Sequence, residues 1–322
     1  MPAFSRRAFL TCPLLVAGCA ALPVAARAAA PVATAQGPGV YRYKLGDFQL
    51  TALYDGIWHI PIDDKFVRNA SAAAVNEALA AAFLPPRVLP ISFTALLVNT
   101  GDKLVLIDTG TAGQIANSAG FMNANLDAAG IPSGLIDTMV ISHFHPDHID
   151  GIKTKDGGKV FANAEILVPE PEWKFWMDDG NMSRASGAVH RYFLNARRIF
   201  KDIAKEVRPF QPGAEVAPGI VSVPAFGHTP GHTAFAIHCG NQSMLAMSDT
   251  AREPWLFVRY PQWQPSYDMD GPLAVKTRTD MLDRAAADRM LVEAYHFPFP
   301  ACGHMVKTAT GYELVPTMWQ PV

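Results

Sequence analysis

Four side chains that commonly bind metal ions, His143, His145, Asp147 and His148, crowd into six consecutive positions directly after the apolar run Met139-Val140-Ile141. No hydrophobic core needs that many ionisable groups, so the fold must deliver this segment to the end of a buried strand, where the groups find partners. His143 and His145 are two apart. In extended backbone they point the same way and can pinch one ion between them. Asp147 and His148 then turn away, which asks for a second ion beside the first, because carboxylate and imidazole suit the same borderline divalent metals.

Three later positions can complete such a centre. Gly227-His228-Thr229-Pro230-Gly231-His232-Thr233 has two glycines and a proline in a turn, a backbone that can hold a histidine at a fixed angle ahead of a strand. Asp249 follows the apolar run Met244-Leu245-Ala246-Met247, and His296 follows Ala294-Tyr295, so each stands where a strand end presents its side chain. Asp108, at the end of Leu104–Ile107, can orient a ligating histidine through its free ring nitrogen or simply cap a turn.

The chain has 322 residues, of which 49% are hydrophobic, enough for one large core or two ordinary ones. Neither a repeat of fixed period nor an interior linker stands out, so one domain over residues 40–322 is expected. Residues 1–30 differ in kind: Ser5-Arg6-Arg7-Ala8-Phe9-Leu10 sets twin arginines before an apolar stretch, and Ala26-Arg27-Ala28 offers a small-residue cleavage site. This pattern is that of a Tat-type export signal, which puts the mature protein in the periplasm or outside the cell. Val16-Ala17-Gly18-Cys19 resembles a lipobox, so a lipid anchor on Cys19 competes with simple cleavage. Residues 31–39 read as a linker. Without the three arginines of residues 1–30, 24 basic residues face 29 acidic ones, a net charge of −5 that makes nucleic acid an unsuitable partner. Cys239 and Cys302 remain in the mature chain, either paired or as buried thiols.

Local patterns give most of the elements. Gly46-Asp47 joins two alternating runs into a hairpin, and Thr100-Gly101-Asp102 joins 93–99 to 103–108. Ser71 caps a helix over 72–83 that Pro85-Pro86 stops. Further helices are expected at 115–129, 170–178, 185–204 and 272–287. Strands are expected at 137–142, 164–168, 220–224, 233–239, 243–248, 289–294 and 312–316. Hairpins near both ends with helices between them predict an α+β protein of two sheets covered by helices.

Taken together, His143-x-His145-x-Asp147-His148, the Gly-His-Thr-Pro-Gly-His turn, Asp249 and His296 resemble the metallo-β-lactamase superfamily. The export signal, Leu-Val-Asn-Thr-Gly followed by Leu-Val-Leu-Ile-Asp-Thr-Gly, and His296-Phe-Pro-Phe-Pro-x-x-Gly-His304 resemble the methyl parathion hydrolases within it, with N-acyl-homoserine lactonases further off. The resemblance implies a four-layer αββα sandwich with two divalent metal ions, zinc by preference and manganese, cobalt or iron by tolerance, at the sheet edge. It implies that His143, His145 and His232 bind the first ion, that Asp147, His148 and His296 bind the second, and that Asp249 bridges them. His228 is then expected to support the loop, and His304 is left undecided. The reaction implied is hydrolysis by a metal-bridging hydroxide, with Asp147 and Asp249 holding the catalytic ions and Asp147 orienting the attacking group.

The resemblance also places Trp176 and Phe193 in an aromatic substrate pocket and Arg68 near its mouth, suited to a small ester, phosphotriester or lactone. A lactonase is the nearest rival. An iron-dependent oxidoreductase on the same fold is a third reading, disfavoured because histidine, not glutamate, stands at 145 and no flavin domain follows. A non-catalytic binding protein is a fourth, weakened by the filled ligand positions. The oligomeric state stays open, although relatives often form homodimers.

Overall fold

Alternation of apolar residues along the strands assembles two seven-stranded sheets that face each other. The structure is a computed structural model describing residue 30 and residues 32–321. The expected export signal and the Cys19 lipobox therefore lie outside the described residues. The first sheet holds β1 (Val40–Leu45), β2 (Phe48–Pro61), β3 (Val88–Asn99), β4 (Leu104–Ile107), β5 (Thr138–Val140), β6 (Glu165–Pro169) and β7 (Val207–Phe210), in that spatial order. The first four pair antiparallel and β4 to β7 run parallel. The second sheet runs from β8 (Glu215–Ala217) through β9 (Ile220–Pro224), β10 (Thr233–Cys239), β11 (Gln242–Ala246) and β12 (Leu291–Glu293) to β13 (Cys302–Lys307) and β14 (Tyr312–Pro316). It is antiparallel except where β11 meets β12.

Period-two patterning explains why β3 is buried on both faces. Leu96 and Val98 point into the layer between the sheets, where they meet Phe235 and Ile237 of β10 and Met244 of β11. Ile91, Phe93, Ala95 and Leu97 point the other way, into an outer layer. That layer is covered by α1 (Ala72–Ala81), α2 (Met122–Ala128) and a group of helices that starts with the short α3 (Pro146–Ile149). α4 (Glu170–Trp176), α5 (Asp179–Arg184) and α6 (Gly187–Phe200) follow. Phe193, Ala196, Ile199 and Phe200 form the buried stripe of α6 at helical spacing. α7 (Gly271–Ala287) covers the outer face of the second sheet through Met281, Leu282 and Ala285. The layers are thus helix, sheet, sheet, helix, the expected αββα sandwich, and residues from Gly37 onward form one unit.

Ser71 caps α1 as its sequence demands, its hydroxyl accepting from the Ala74 N–H. The helix expected over 115–129 is shorter, because residues before Met122 are claimed by β2: Ile57 N–H donates to Ser118 O, and Gly120 and Phe121 both donate to Asp55 O. Three strands, β7, β8 and β13, have no separate signal in the sequence. Among the described residues, no helix is long and apolar enough to cross a membrane.

Candidate metal centre

β5 ends at Val140, and Ser142–His148 emerges at the edge of the two sheets with α3 turning Asp147 and His148 back toward the centre. Asp108 leaves β4 in the left-handed conformation (φ 60°) that Asp tolerates better than most residues. Its carboxylate accepts from Ser142 N–H at 2.8 Å and Ser142 Oγ at 2.7 Å, and takes His148 Nδ1 at 2.7 Å. Asp108 thus orients a ring whose other nitrogen, Nε2, faces Asp249 Oδ1 at 3.2 Å. His296 is held in the same manner, with Nδ1 on Ser92 O at 2.8 Å and Nε2 3.1 Å from Asp249 Oδ2. Asp147 Oδ2 lies 3.4 Å from His296 Nε2 and 3.5 Å from His148 Nε2. Each histidine is anchored by one nitrogen and aims the other inward, the arrangement that fixes tautomer and orientation in metal sites.

The other half of the centre is built from His143, His145, His228 and Asp249, whose donor atoms all lie within 4.8 Å of one another. His143 Nε2 is 3.1 Å from His145 Nδ1, which is 2.9 Å from His228 Nε2, and His228 Nε2 is 3.2 Å from Asp249 Oδ2. Burial holds His143 and His145 well below the usual histidine range, so both are neutral with lone pairs free. Burial pulls the same way on His148 and His228, but the carboxylates of Asp249, Asp147 and Asp108 raise His148, and those of Asp249 and Asp268 raise His228. His148 Nε2 and Asp249 Oδ1 are buried without a hydrogen-bond partner. Converging imidazole lone pairs, two carboxylates and orphaned inward atoms are a donor set that fits two divalent cations sharing Asp249.

A family model described as "Metallo-beta-lactamase superfamily" matches residues 91–292, more than half of the sequence. The chain belongs to the metallo-beta-lactamase superfamily. This superfamily chain is also similar to a probable metallo-hydrolase of Mycobacterium bovis, 27% identical over 188 residues, 48% of this chain and 55% of the relative. The anti-Pycsar protein Apyc1 of a Paenibacillus species is 27% identical over 172 residues, 51% of this chain and 62% of the relative. The matches thus span little more than half the length of these curated relatives. Among solved structures, a hydrolase of the β-lactamase superfamily named AbOPH superposes with TM-score 0.82 at 27% identity, over 89% of this chain and all of that one. The dizinc quorum-quenching lactonase AidC, solved with the product N-hexanoyl-L-homoserine, gives TM-score 0.82 at 27% identity, over 88% of this chain and 99% of that one.

In this superfamily member both histidines of the Gly-His-Thr-Pro-Gly-His turn reach the centre. His232, the expected ligand, is anchored by Nδ1 on Ala225 O at 3.1 Å and turns Nε2 toward Asp249, 3.1 Å from its backbone N. Burial pushes its pKa down to about 3, so the ring is neutral. His228, expected only to support the loop, points Nε2 into the centre while Asp268 Oδ1 holds Nδ1 at 2.9 Å. Asp268 is fixed in turn by Arg278 at 2.8 Å. Gly227 (φ 125°) packs against the start of α7, where a Cβ would lie 2.3 Å from Ala274 N.

Sequence reasoning missed Glu172. This fully buried carboxylate on α4 accepts from Phe144 N–H at 3.1 Å, Trp176 Nε1 at 2.6 Å, Thr229 Oγ1 at 2.5 Å and Gly231 N–H at 2.7 Å. It ties the His143–His145 loop to the His228–His232 turn. A glutamate in the first turn of a helix has no pattern that foretells such a role.

The expected substrate pocket is also corrected. Trp176 and Phe193 are fully buried in the outer core, with ring centroids 4.6 Å apart, and neither lines the opening over the metal ligands. Arg68 donates to Asp268 O and Ser266 O at 2.8 Å each, bracing that loop from outside. The cleft that opens on His145 and Asp147 measures about 250 Å³. One wall is apolar: Trp58, Ile91, Phe93 and Ile115, the last carried by the segment that β2 captured. The rest of the lining is polar or amphipathic: Arg191, Tyr192, Arg252 and Tyr267. His304 lies apart, exposed, with Nδ1 on Met290 O.

Proposed function

We propose that the chain is a metal-dependent hydrolase of small esters or lactones, with His143, His145 and His228 holding one divalent ion, Asp147, His148 and His296 the other, and Asp249 shared. The observation that carries this reading is the convergence of these seven side chains in two adjoining groups, of which His145 and Asp147 open onto an amphipathic cleft. Two ions so held supply an acidified water and a Lewis acid at neutral pH. The chain's own residues do the positioning. Asp108, Ser92 O and Asp268 fix the outer nitrogens of His148, His296 and His228. Tyr295 donates to the backbone carbonyl of Asp147 at 2.7 Å and fixes the backbone that carries this carboxylate. Arg252 Nη1, 2.7 Å from Asp249 Oδ2, steadies the shared carboxylate from the substrate side.

The apolar wall receives an acyl or aryl arm and excludes water from the scissile bond. Phosphotriester cleavage is a second reading, requiring the same attack at phosphorus. The histidine-rich donor set favours zinc, with manganese, cobalt and iron as competitors. The twin-arginine segment supports a periplasmic or secreted address.

The test is metal analysis of purified protein joined to a hydrolysis screen over aryl esters, lactones, phosphotriesters and β-lactams. The expected result is about two divalent ions per chain and ester or lactone turnover that chelation or His143→Ala abolishes. Turnover that survives complete removal of metal would overturn the reading.

A further inference from the structure

The polar wall of the cleft says something about the substrate that the metal ligands do not. Arg191 and Tyr192 come from α6, and Tyr192 packs its ring 4.7 Å from that of His145, so this wall lies directly beside the reacting centre. Arg191 is exposed at the rim. Its neighbours on the same helix are paired, Arg197 with Asp179 at 2.6 Å and Arg198 with Asp150 at 3.2 Å. Among the described residues no carboxylate lies within ion-pair distance of Arg191. Deeper in the cleft Arg252 is fixed by Asp249, by Glu253 at 3.3 Å and by the Tyr267 ring 4.8 Å from its guanidinium carbon. Asp249 is also faced by His148, His228 and His296, so Arg252 is not its sole counter-charge. Guanidinium has five N–H groups, and two of those of Arg252 are spent.

A cleft lined by apolar side chains together with two arginines and two phenols does not match a uniformly apolar substrate. Desolvating Arg191 against a neutral alkyl arm costs free energy, whereas a carboxylate arriving there makes charge-assisted bonds in a cleft of reduced dielectric. Resting on the hydrolase reading above, we propose that the preferred substrate is an ester or lactone whose arm bears a carboxylate, received by Arg191 at the rim and Arg252 within. Hydrolysis adds water across the acyl–oxygen bond and leaves that distal carboxylate unchanged, so an ester whose acyl arm bears it gives a dicarboxylate and the free alcohol, and a lactone opens to a single hydroxy dicarboxylate.

The probes are mono-p-nitrophenyl glutarate, whose acyl arm ends in a carboxylate, and its methyl ester, which has the same leaving group and arm. Wild-type protein is expected to show kcat/KM at least tenfold higher for the free acid, chiefly through KM. Arg191→Gln, at an exposed position, should collapse this ratio to about twofold or less, and Arg191→Glu should invert it. A wild-type preference for the methyl ester, or a ratio that neither variant moves, overturns the proposal. Calorimetric binding of glutaric acid monoanilide and its methyl ester to the metal-loaded protein repeats the comparison without turnover. Equal Kd values there also overturn it. If neither ester is hydrolysed while the acid anilide binds tighter through Arg191, the hydrolase reading fails and the anion-binding cleft stands.

Discussion

Exchanging the two histidines of the Gly-His-Thr-Pro-Gly-His turn for alanine, one at a time, separates a ligand from its neighbour. His228 Nε2 is one of four donors of the first half-site. If a four-ligand zinc site is worth about 10–16 kcal/mol, each ligand carries about 3 kcal/mol, or roughly two orders of magnitude in affinity. His228→Ala should therefore drop tightly bound metal from two ions per chain toward one and weaken the remaining half-site less. On the proposed assignment His232 Nε2 accepts the Asp249 N–H rather than an ion. His232→Ala should keep close to two ions but leave the buried Asp249 N–H unpaired beside a cavity, at a cost of about 2–4 kcal/mol. For a chain of this size that is a fall in Tm of roughly 3–7 °C. The assay is plasma-emission metal analysis after dialysis against a weak chelator, with calorimetric melting alongside. Loss of an ion in His232→Ala with two retained in His228→Ala would refute the assignment.

Glu172→Gln places an amide NH₂ against backbone and side-chain donors that need acceptors; stability should fall by about 2–3 kcal/mol in urea titration, and metal affinity of the first half-site by about tenfold to hundredfold. Unchanged metal affinity would reduce Glu172 to a fold-stabilising residue. Burial pushes the Cys302 thiol up to about 11, so its thiolate is scarce at pH 8 and its alkylation should rise about tenfold per pH unit up to that value. Mass spectrometry of iodoacetamide-treated native protein should show Cys239 modified first, because both thiols are unpaired but Cys302 is buried. Replacing Arg6 and Arg7 by lysine should retain the protein in the cytoplasm of a host with twin-arginine transport, read by fractionation and blotting; normal export of this variant would refute the twin-arginine route, and retention of the unaltered protein would remove the proposed address.

Much of the architecture was readable because local chemistry and tertiary demand agreed. Gly46-Asp47 forms the tight turn between β1 and β2, Ser71 caps α1, and the unbroken apolar runs Ala95–Val98 and Ala234–Ile237 suit strands buried on both faces. The pattern failed where distant backbone competed for the chain. Residues 115–121 look helical, but Asp55 O and Ser118 O pair this stretch with β2 and make it part of the cleft wall. Trp176 and Phe193 have the spacing of either a pocket or a core stripe, and nothing local distinguishes them; packing against one another and the outer layer made them core.

The residues themselves determined which chemistry was available: His143, His145, Asp147 and His148 in one loop, with Asp249 and His296 after apolar strands, can serve little besides cations. How His228 and His232 are held is visible only in three dimensions. Both sit in the same turn, where Asp268 reaches back 40 residues to one ring and the Asp249 N–H meets the other. The cleft's arginine wall is likewise invisible in sequence, because Arg191 and Arg252 are 61 positions apart and share a surface only once α6 and the loop after β11 are packed around the same strand edge.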